Sequence, residues 1–127
     1  MTVKATAEKL LLKPGMSAVV LDAPPDVVTR LGVPAGATFG DDPAAVQFVL
    51  VFVGTQAEAE AKAAALAPAV GDTTIAWIAY PKGSKAAGHD VNRDSIAGFV
   101  SRVGLVVCAN VSIDETWSAL RVRPLKT

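Results

Sequence analysis

A chain of 127 residues, 51% of them hydrophobic, is sized for one compact domain that needs no disulfide or structural metal to hold together. Twelve basic and twelve acidic residues cancel, so there is no basic excess pointing to nucleic acid or to an anionic membrane surface. The longest apolar run, Phe48–Val53, falls far short of the roughly 20 residues a spanning helix needs, and one cysteine, Cys108, cannot close an internal disulfide.

In chain order, Thr6 to Leu12 reads as one or two helical turns with Leu10 and Leu11 as a docking stripe, stopped by Lys13-Pro14-Gly15. The N-terminus has no signal-peptide h-region, which makes a cytoplasmic address the expectation. Ser17–Leu21 reads as a short buried strand. After Asp22-Ala23-Pro24-Pro25, a helix is expected over Pro25 to Leu31, closed by Gly32. A brief edge strand is expected at Ala37–Phe39. Val46–Val53 (VQFVLVFV) is the strongest strand signal, apolar on both faces as a central parallel strand requires.

Thr55-Gln56-Ala57-Glu58 has the form of a capping box, and the alanine-rich helix it opens runs to about Leu66. Ile75–Tyr80 is the next strand, followed by a polar connection from Pro81 to Asp94. Asn92 caps a further helix whose Ile96, Phe99, Val100 and Val103 follow helical spacing, and Gly104 ends it. Leu105–Val111 and Trp117–Arg123 read as strands. The turn between them is too short for a crossover, so the pair must be antiparallel.

Strands alternating with helices predict an α/β domain over residues 1–127. Its expected architecture is a reduced, Rossmann-like open sheet of five or six strands, mostly parallel, with a C-terminal antiparallel hairpin. Right-handed crossovers put the loops Asp22–Pro25, Gly54–Gln56 and Pro81–Asp94, together with the hairpin turn, on one edge. In open α/β sheets that carboxyl-end edge is where ligands bind.

The candidate ligand-binding residues follow from this edge. Lys82, Ser84, Lys85, His89 and Arg93 lie in or beside one loop that feeds a helix N-terminus, whose free amides and positive end suit an anion. Asp90 and Asp94 oppose an anion there, and suit the helix dipole by themselves. Trp117 either flanks the same site or caps the core. Asp90–Asp94 opens like a calcium loop, but position six is Ser95 and position twelve is Ser101, where glycine and glutamate are required. With one histidine and one cysteine, no metal site is expected. No nucleophile elbow is present, so no catalytic residue is assigned. Cys108 reads as a core residue within its strand. Arg121 and Arg123 alternate on one face of the last strand and would need carboxylate partners if that strand is central.

Two resemblances add to this reading. The element order is similar to the later half of class I methyltransferases, with QFVLVFV, TIAWIAYP and VSIDETWSALRV matching successive strands and the terminal hairpin. The chain departs from that family after the first strand, where Leu21-Asp22-Ala23-Pro24-Pro25 has no G-x-G turn for close cofactor approach. The chain also resembles small bacterial proteins of a domain-of-unknown-function type, through KPGM (Lys13–Met16), AYPKGS (Ala79–Ser84), GHDVNRD (Gly88–Asp94) and DETWSALRVRP (Asp114–Pro124). That likeness implies a bacterial cytosolic protein and carries no activity.

The sequence therefore points first to a non-catalytic binding or interaction domain, with a small anionic ligand or a protein as partner and no cofactor. Two alternatives stand beside it. One is a small enzyme or degenerate nucleotide- or S-adenosylmethionine-binding protein using the Pro81–Asp94 loop; the other is a structural homodimer without ligand.

Overall fold

A computed structural model describes residues 10–13, 15–23, 38–40, 46–71, 73–82 and 91–124. Six strands form one sheet: β1 (Ser17–Leu21), β2 (Thr38–Phe39), β3 (Phe48–Phe52), β4 (Ile75–Pro81), β5 (Leu105–Ser112) and β6 (Trp117–Pro124). Two α-helices belong to the described residues, α1 (Gln56–Leu66) and α2 (Arg93–Val100). The expected helix over Pro25–Leu31 lies outside the described residues.

The strand order is β2-β1-β3-β4-β6-β5. Pairs β1–β2, β1–β3 and β3–β4 are parallel, whereas β6 runs antiparallel to both neighbours. The expectation of a mostly parallel sheet is thus corrected to a mixed one. The cause is local. The connection after β5 is too short to cross over, so the chain turns back, and the returning strand enters between β4 and β5. The two ladders of β6 are also the longest in the sheet.

β3 is buried at all five positions, as its two-sided apolar sequence demands for a strand between β1 and β4. Because side chains alternate across a strand, the sheet carries two separate apolar layers. On one face Val49, Val51, Ala76, Ile78, Leu120 and Val122 pack with Ala59, Ala63 and Leu66 of α1 and Ile96 and Val100 of α2. The alanines at positions 59 and 63 let the α1 backbone approach the sheet closely. On the other face Phe48, Leu50, Phe52, Trp77, Ala79 and Ala119 pack with Leu10, Leu12 and Ile113. Each fully buried large apolar side chain contributes about 1.5–3 kcal/mol relative to exposure.

The second layer is tied to the N-terminal segment by one polar contact. The buried Trp77 indole Nε1–H donates to the Leu10 carbonyl at 2.8 Å. The docking residues are Leu10 and Leu12, not Leu10 and Leu11. Leu11 adopts a left-handed backbone with φ 70 and is exposed, so Leu10 and Leu11 belong to a turn, while Thr6–Lys9 of the expected helical turns lie outside the described residues.

Cys108 also departs from expectation. It is exposed because β5 is the edge strand and its ladder with β6 is irregular between Val107 and Ala109, which displaces Cys108 from the core.

Candidate functional site

The carboxyl ends of β1, β3 and β4 lie on one edge of the sheet because those strands are parallel. Strand order reverses between β1 and β3: β2 lies to one side of β1, and β3 and β4 follow on the other. This is the topological switch point of the sheet, where an open α/β fold leaves a crevice between diverging loops. Its walls are Asp22-Ala23 after β1 and Gly54-Thr55-Gln56 after β3.

At the β1 wall, Asp22 takes a left-handed backbone, φ 58, a conformation that aspartate tolerates better than most residues and that glycine adopts freely. The turn therefore has a glycine-like backbone without a glycine. The Asp22 carboxylate is held 2.6 Å from the Lys62 ammonium of α1. With both side chains partly in water, that pair adds at most about 1 kcal/mol, so its role is to aim the carboxylate.

At the β3 wall, Thr55 caps α1 by accepting the Glu58 amide at 3.1 Å. The return half of the expected capping box is displaced by one residue. Glu58 Oε1 accepts the Gly54 amide at 3.3 Å and lies 3.4 Å from the Thr55 hydroxyl. A Cβ on Gly54 would stand 3.4 Å from that same carboxylate oxygen, the end of a flexible side chain. Gln56 joins the two helices: its Nε2 donates to Glu60 Oε2 at 3.1 Å and to the Ser95 carbonyl of α2 at 3.2 Å.

One strand further along, the edge continues into the hairpin. Lys82 N–H donates to the Thr116 carbonyl at 2.8 Å, and Lys82 Nζ lies 2.5 Å from Ser112 Oγ. Asp114 Oδ1 accepts the amides of Thr116 and Trp117 at 2.8 and 2.7 Å, which closes the turn. Trp117 is half-buried and meets Phe52 edge-on, with ring centroids 5.0 Å apart. Lys82 and Trp117 are thus neighbours, as the register Pro81↔Trp117 requires.

Arg93 stands at the start of α2, 62% exposed, with Nε 3.6 Å from Asp94 Oδ1. Its helix is capped from within: Asn92 Oδ1 accepts the Ser95 amide and Ser95 Oγ accepts the Asn92 amide, both at 2.9 Å. Ser84, Lys85 and His89 lie outside the described residues, as does Asp90, the first residue of the calcium-like segment. Among the described residues, no group of three or more His, Cys, Asp or Glu side chains is placed to hold a metal ion. No helix of those residues is long and apolar enough to cross a membrane.

Sequence reasoning missed Asp22 and Lys62 as a pair. A turn aspartate before Ala-Pro-Pro was a local signal of unusual backbone, but its partner lies forty residues away on α1. The arginines of β6 also resolve differently from expectation. β6 is interior, yet among the described residues no carboxylate pairs with Arg121 or Arg123, and the Arg121 Nε is buried without an acceptor.

Solved structures share this architecture at low sequence identity. An O-methyltransferase from neocarzinostatin biosynthesis, in complex with S-adenosylmethionine and a naphthoic acid, superposes with TM-score 0.60 at 14% identity over 91% of this chain and 50% of that one. A TehB-like S-adenosylmethionine-dependent methyltransferase from Corynebacterium glutamicum gives TM-score 0.56 at 12% identity, over 97% of this chain and 89% of its own. LepI in complex with S-adenosylmethionine gives 0.54 at 16%, over 94% of this chain and 39% of that one. The chain therefore has the Rossmann-like fold shared by these three proteins, while spanning about half the length of the first and less of the third. No family model matches the chain, and no curated protein matches it, so the likeness to small bacterial proteins rests on its four motifs alone.

Proposed function

We propose that this chain binds a nucleoside-class ligand, with S-adenosylmethionine the leading candidate, in the crevice between the carboxyl ends of β1 and β3. The observation that carries this reading is the backbone at Asp22. Its positive φ supplies, at the switch point, the turn that a glycine would otherwise supply. The chemistry of the walls agrees with the ligand class. Asp22 and Glu58 offer carboxylate oxygens, and Thr55 a hydroxyl. Such groups suit ribose hydroxyls and a cationic or amine-bearing ligand better than a polyphosphate. The similarity in fold to proteins solved with S-adenosylmethionine supports the same class.

This favours the ligand-binding alternative over a domain without one, and it moves the centre of the site from the Pro81–Asp94 loop to the β1/β3 crevice. In this reading Asp22 anchors the ligand, Lys62 aims the Asp22 carboxylate, and Gly54 admits the ligand close to the backbone. When bound, S-adenosylmethionine supplies an electrophilic methyl group; the residues named here bind and orient it.

The test is a thermal-shift and calorimetric titration of the full chain with S-adenosylmethionine, S-adenosylhomocysteine and ATP. A ligand at 100 times its Kd adds about 2.7 kcal/mol, which for a chain of this length is a rise of about 10 °C. Asp22→Lys should abolish the response to the S-adenosyl compounds, while Lys62→Gln should weaken it. An unchanged melting point with both compounds at saturating supply refutes the reading.

A second reading rests on the pairing of Lys82 with Thr116, one residue along the ladder from Pro81 and Trp117. Here the hairpin side of the edge takes an anionic ligand through Lys82 and Arg93, with Trp117 flanking its planar part. A rise with ATP alone, lost in Lys82→Ala with Arg93→Ala, selects this reading over the first.

A further inference from the structure

Two arginines stand where the sheet offers them no counter-charge. Arg121 and Arg123 are the only charged residues in β3, β4, β5 and β6. Two residues apart on one strand, their side chains leave the same face of the sheet. That face carries the second apolar layer, because Arg121 lies opposite the buried Trp77 of β4 and opposite Ala109 of β5. Arg123 lies opposite Val106, further along the same ladder. The ion pairs among the described residues, Asp22–Lys62 and Arg93–Asp94, use neither arginine.

Arg121 is half-buried, and its Nε is closed off from solvent without an acceptor. A charged donor kept from water without a partner is costly, and an arriving counter-charge offsets that cost. Long cationic side chains bury their stems and keep their outer ends toward water, so the Nη fork is the part of Arg121 that a ligand meets. The exposed Arg123 sets a second fork about 7 Å along the backbone, near enough for both to reach one group. Beside them β5 adds Val106, Ala109 and Val111, each half-buried. The surface therefore joins two positive charges to an apolar strip.

We propose that Arg121 and Arg123 bind the dianionic head of a small organic phosphate monoester, whose apolar body lies on Val106, Ala109 and Val111. Such a head carries about −1.5 to −2 at neutral pH, which two guanidinium groups match, and their planar forks take its oxygens in pairs. A carboxylate brings less charge to the same two forks. The site is distinct from the β1/β3 crevice: β6 lies beyond β4 in the sheet, and Arg121 is level with Trp77, four residues back from Pro81 at the carboxyl end of β4, about 13 Å along the strand. This inference is independent of the ligand reading.

Calorimetric titration of the full chain with phenyl phosphate, in low-salt buffer free of other phosphate, tests it. Benzoate has the ring but a single charge and should bind about tenfold more weakly or worse. Inorganic phosphate has the charge without the ring and should bind about threefold more weakly or worse. Arg121→Gln and Arg121→Lys should each weaken binding of phenyl phosphate by about tenfold or more, the second because an ammonium keeps the charge without the fork. Arg123→Gln should weaken it by about threefold, since water screens an exposed charge. Arg102→Gln, which removes an exposed charge from the turn Ser101–Val103 over the other apolar layer, should change it by less than about twofold. Without ligand, Arg121→Met should melt at or above the parent, because it removes an unpartnered buried cation and keeps an apolar stem. Failure of the parent chain to bind phenyl phosphate overturns the proposal, as does equal affinity for benzoate or inorganic phosphate, or parental affinity in Arg121→Gln. A lowered melting point in Arg121→Met also overturns it, since the guanidinium would then have a partner within the fold.

Discussion

The reciprocal cap of α2 allows a sharp stability test. Asn92→Ala removes the oxygen that accepts the Ser95 amide at 2.9 Å and leaves that amide unmatched in the first turn. Substituting a capping asparagine by alanine costs about 0.5–2 kcal/mol, and the half-buried position of Asn92 argues for about 1, since water reaches the orphaned amide in part. An unfolding entropy of about 2.1 cal/mol/K per residue gives about 0.27 kcal/mol/K for the chain, so the melting point should fall by about 4 °C. Ser95→Ala removes the acceptor of the Asn92 amide, also 2.9 Å, and should cost a similar amount. Because the two bonds share one geometry, the double variant should cost less than the sum by about 0.5 kcal/mol or more. Asn92→Asp keeps the acceptor and adds negative charge at the helix N-terminus, so it should lie within about 0.5 kcal/mol of the parent. Urea unfolding followed by circular dichroism measures all four. If Asn92→Ala melts within about 1 °C of the parent, or Asn92→Asp falls as far as alanine, the cap does not anchor the helix.

Two other substitutions probe the opposite layer and the helix exit. Trp77→Phe leaves the Leu10 carbonyl without its donor, a cost of about 1–3 kcal/mol, and adds the loss of part of a fully buried ring; thermal melts should fall by about 7–15 °C, and a fall under about 2 °C would refute the tether. Gly104 has φ 84 with no heavy atom within 4 Å of a Cβ placed there, so Gly104→Ala should cost about 1–2 kcal/mol through backbone conformation alone, and Gly104→Asn should cost less. Equal destabilisation by alanine and asparagine, read from denaturant midpoints, would point to a steric cause instead.

What could be read along the chain was whatever local chemistry decides. The run Phe48–Phe52 announced a two-sided strand because every side chain in it is apolar. Asn92 announced the start of α2, and Gly104 the end of the 3-10 turn Ser101–Val103 that continues it, because caps act within a single turn. The short Ile113–Thr116 connection required an antiparallel pair, since no crossover fits in it. The common edge of the loops followed from crossover handedness, and the neighbouring positions of Lys82 and Trp117 agree with it.

Tertiary structure decided the rest. Nothing local says that β6 inserts between β4 and β5, which makes the sheet mixed and sends Cys108 to an exposed edge. Composition does not explain that choice, since β5 has six apolar residues and no charge while β6 carries Arg121 and Arg123; the interior place is the one where β6 buries Leu120 and Val122 in one apolar layer and Ala119 in the other, while β5 has only Leu105 fully buried. The switch point between β1 and β3 exists only once strand order is known, and the ion pair of Asp22 with Lys62 joins residues far apart in sequence. Periodicity and capping are properties of neighbours along the chain; strand order and the pairing of distant charges are settled by which surfaces leave water together.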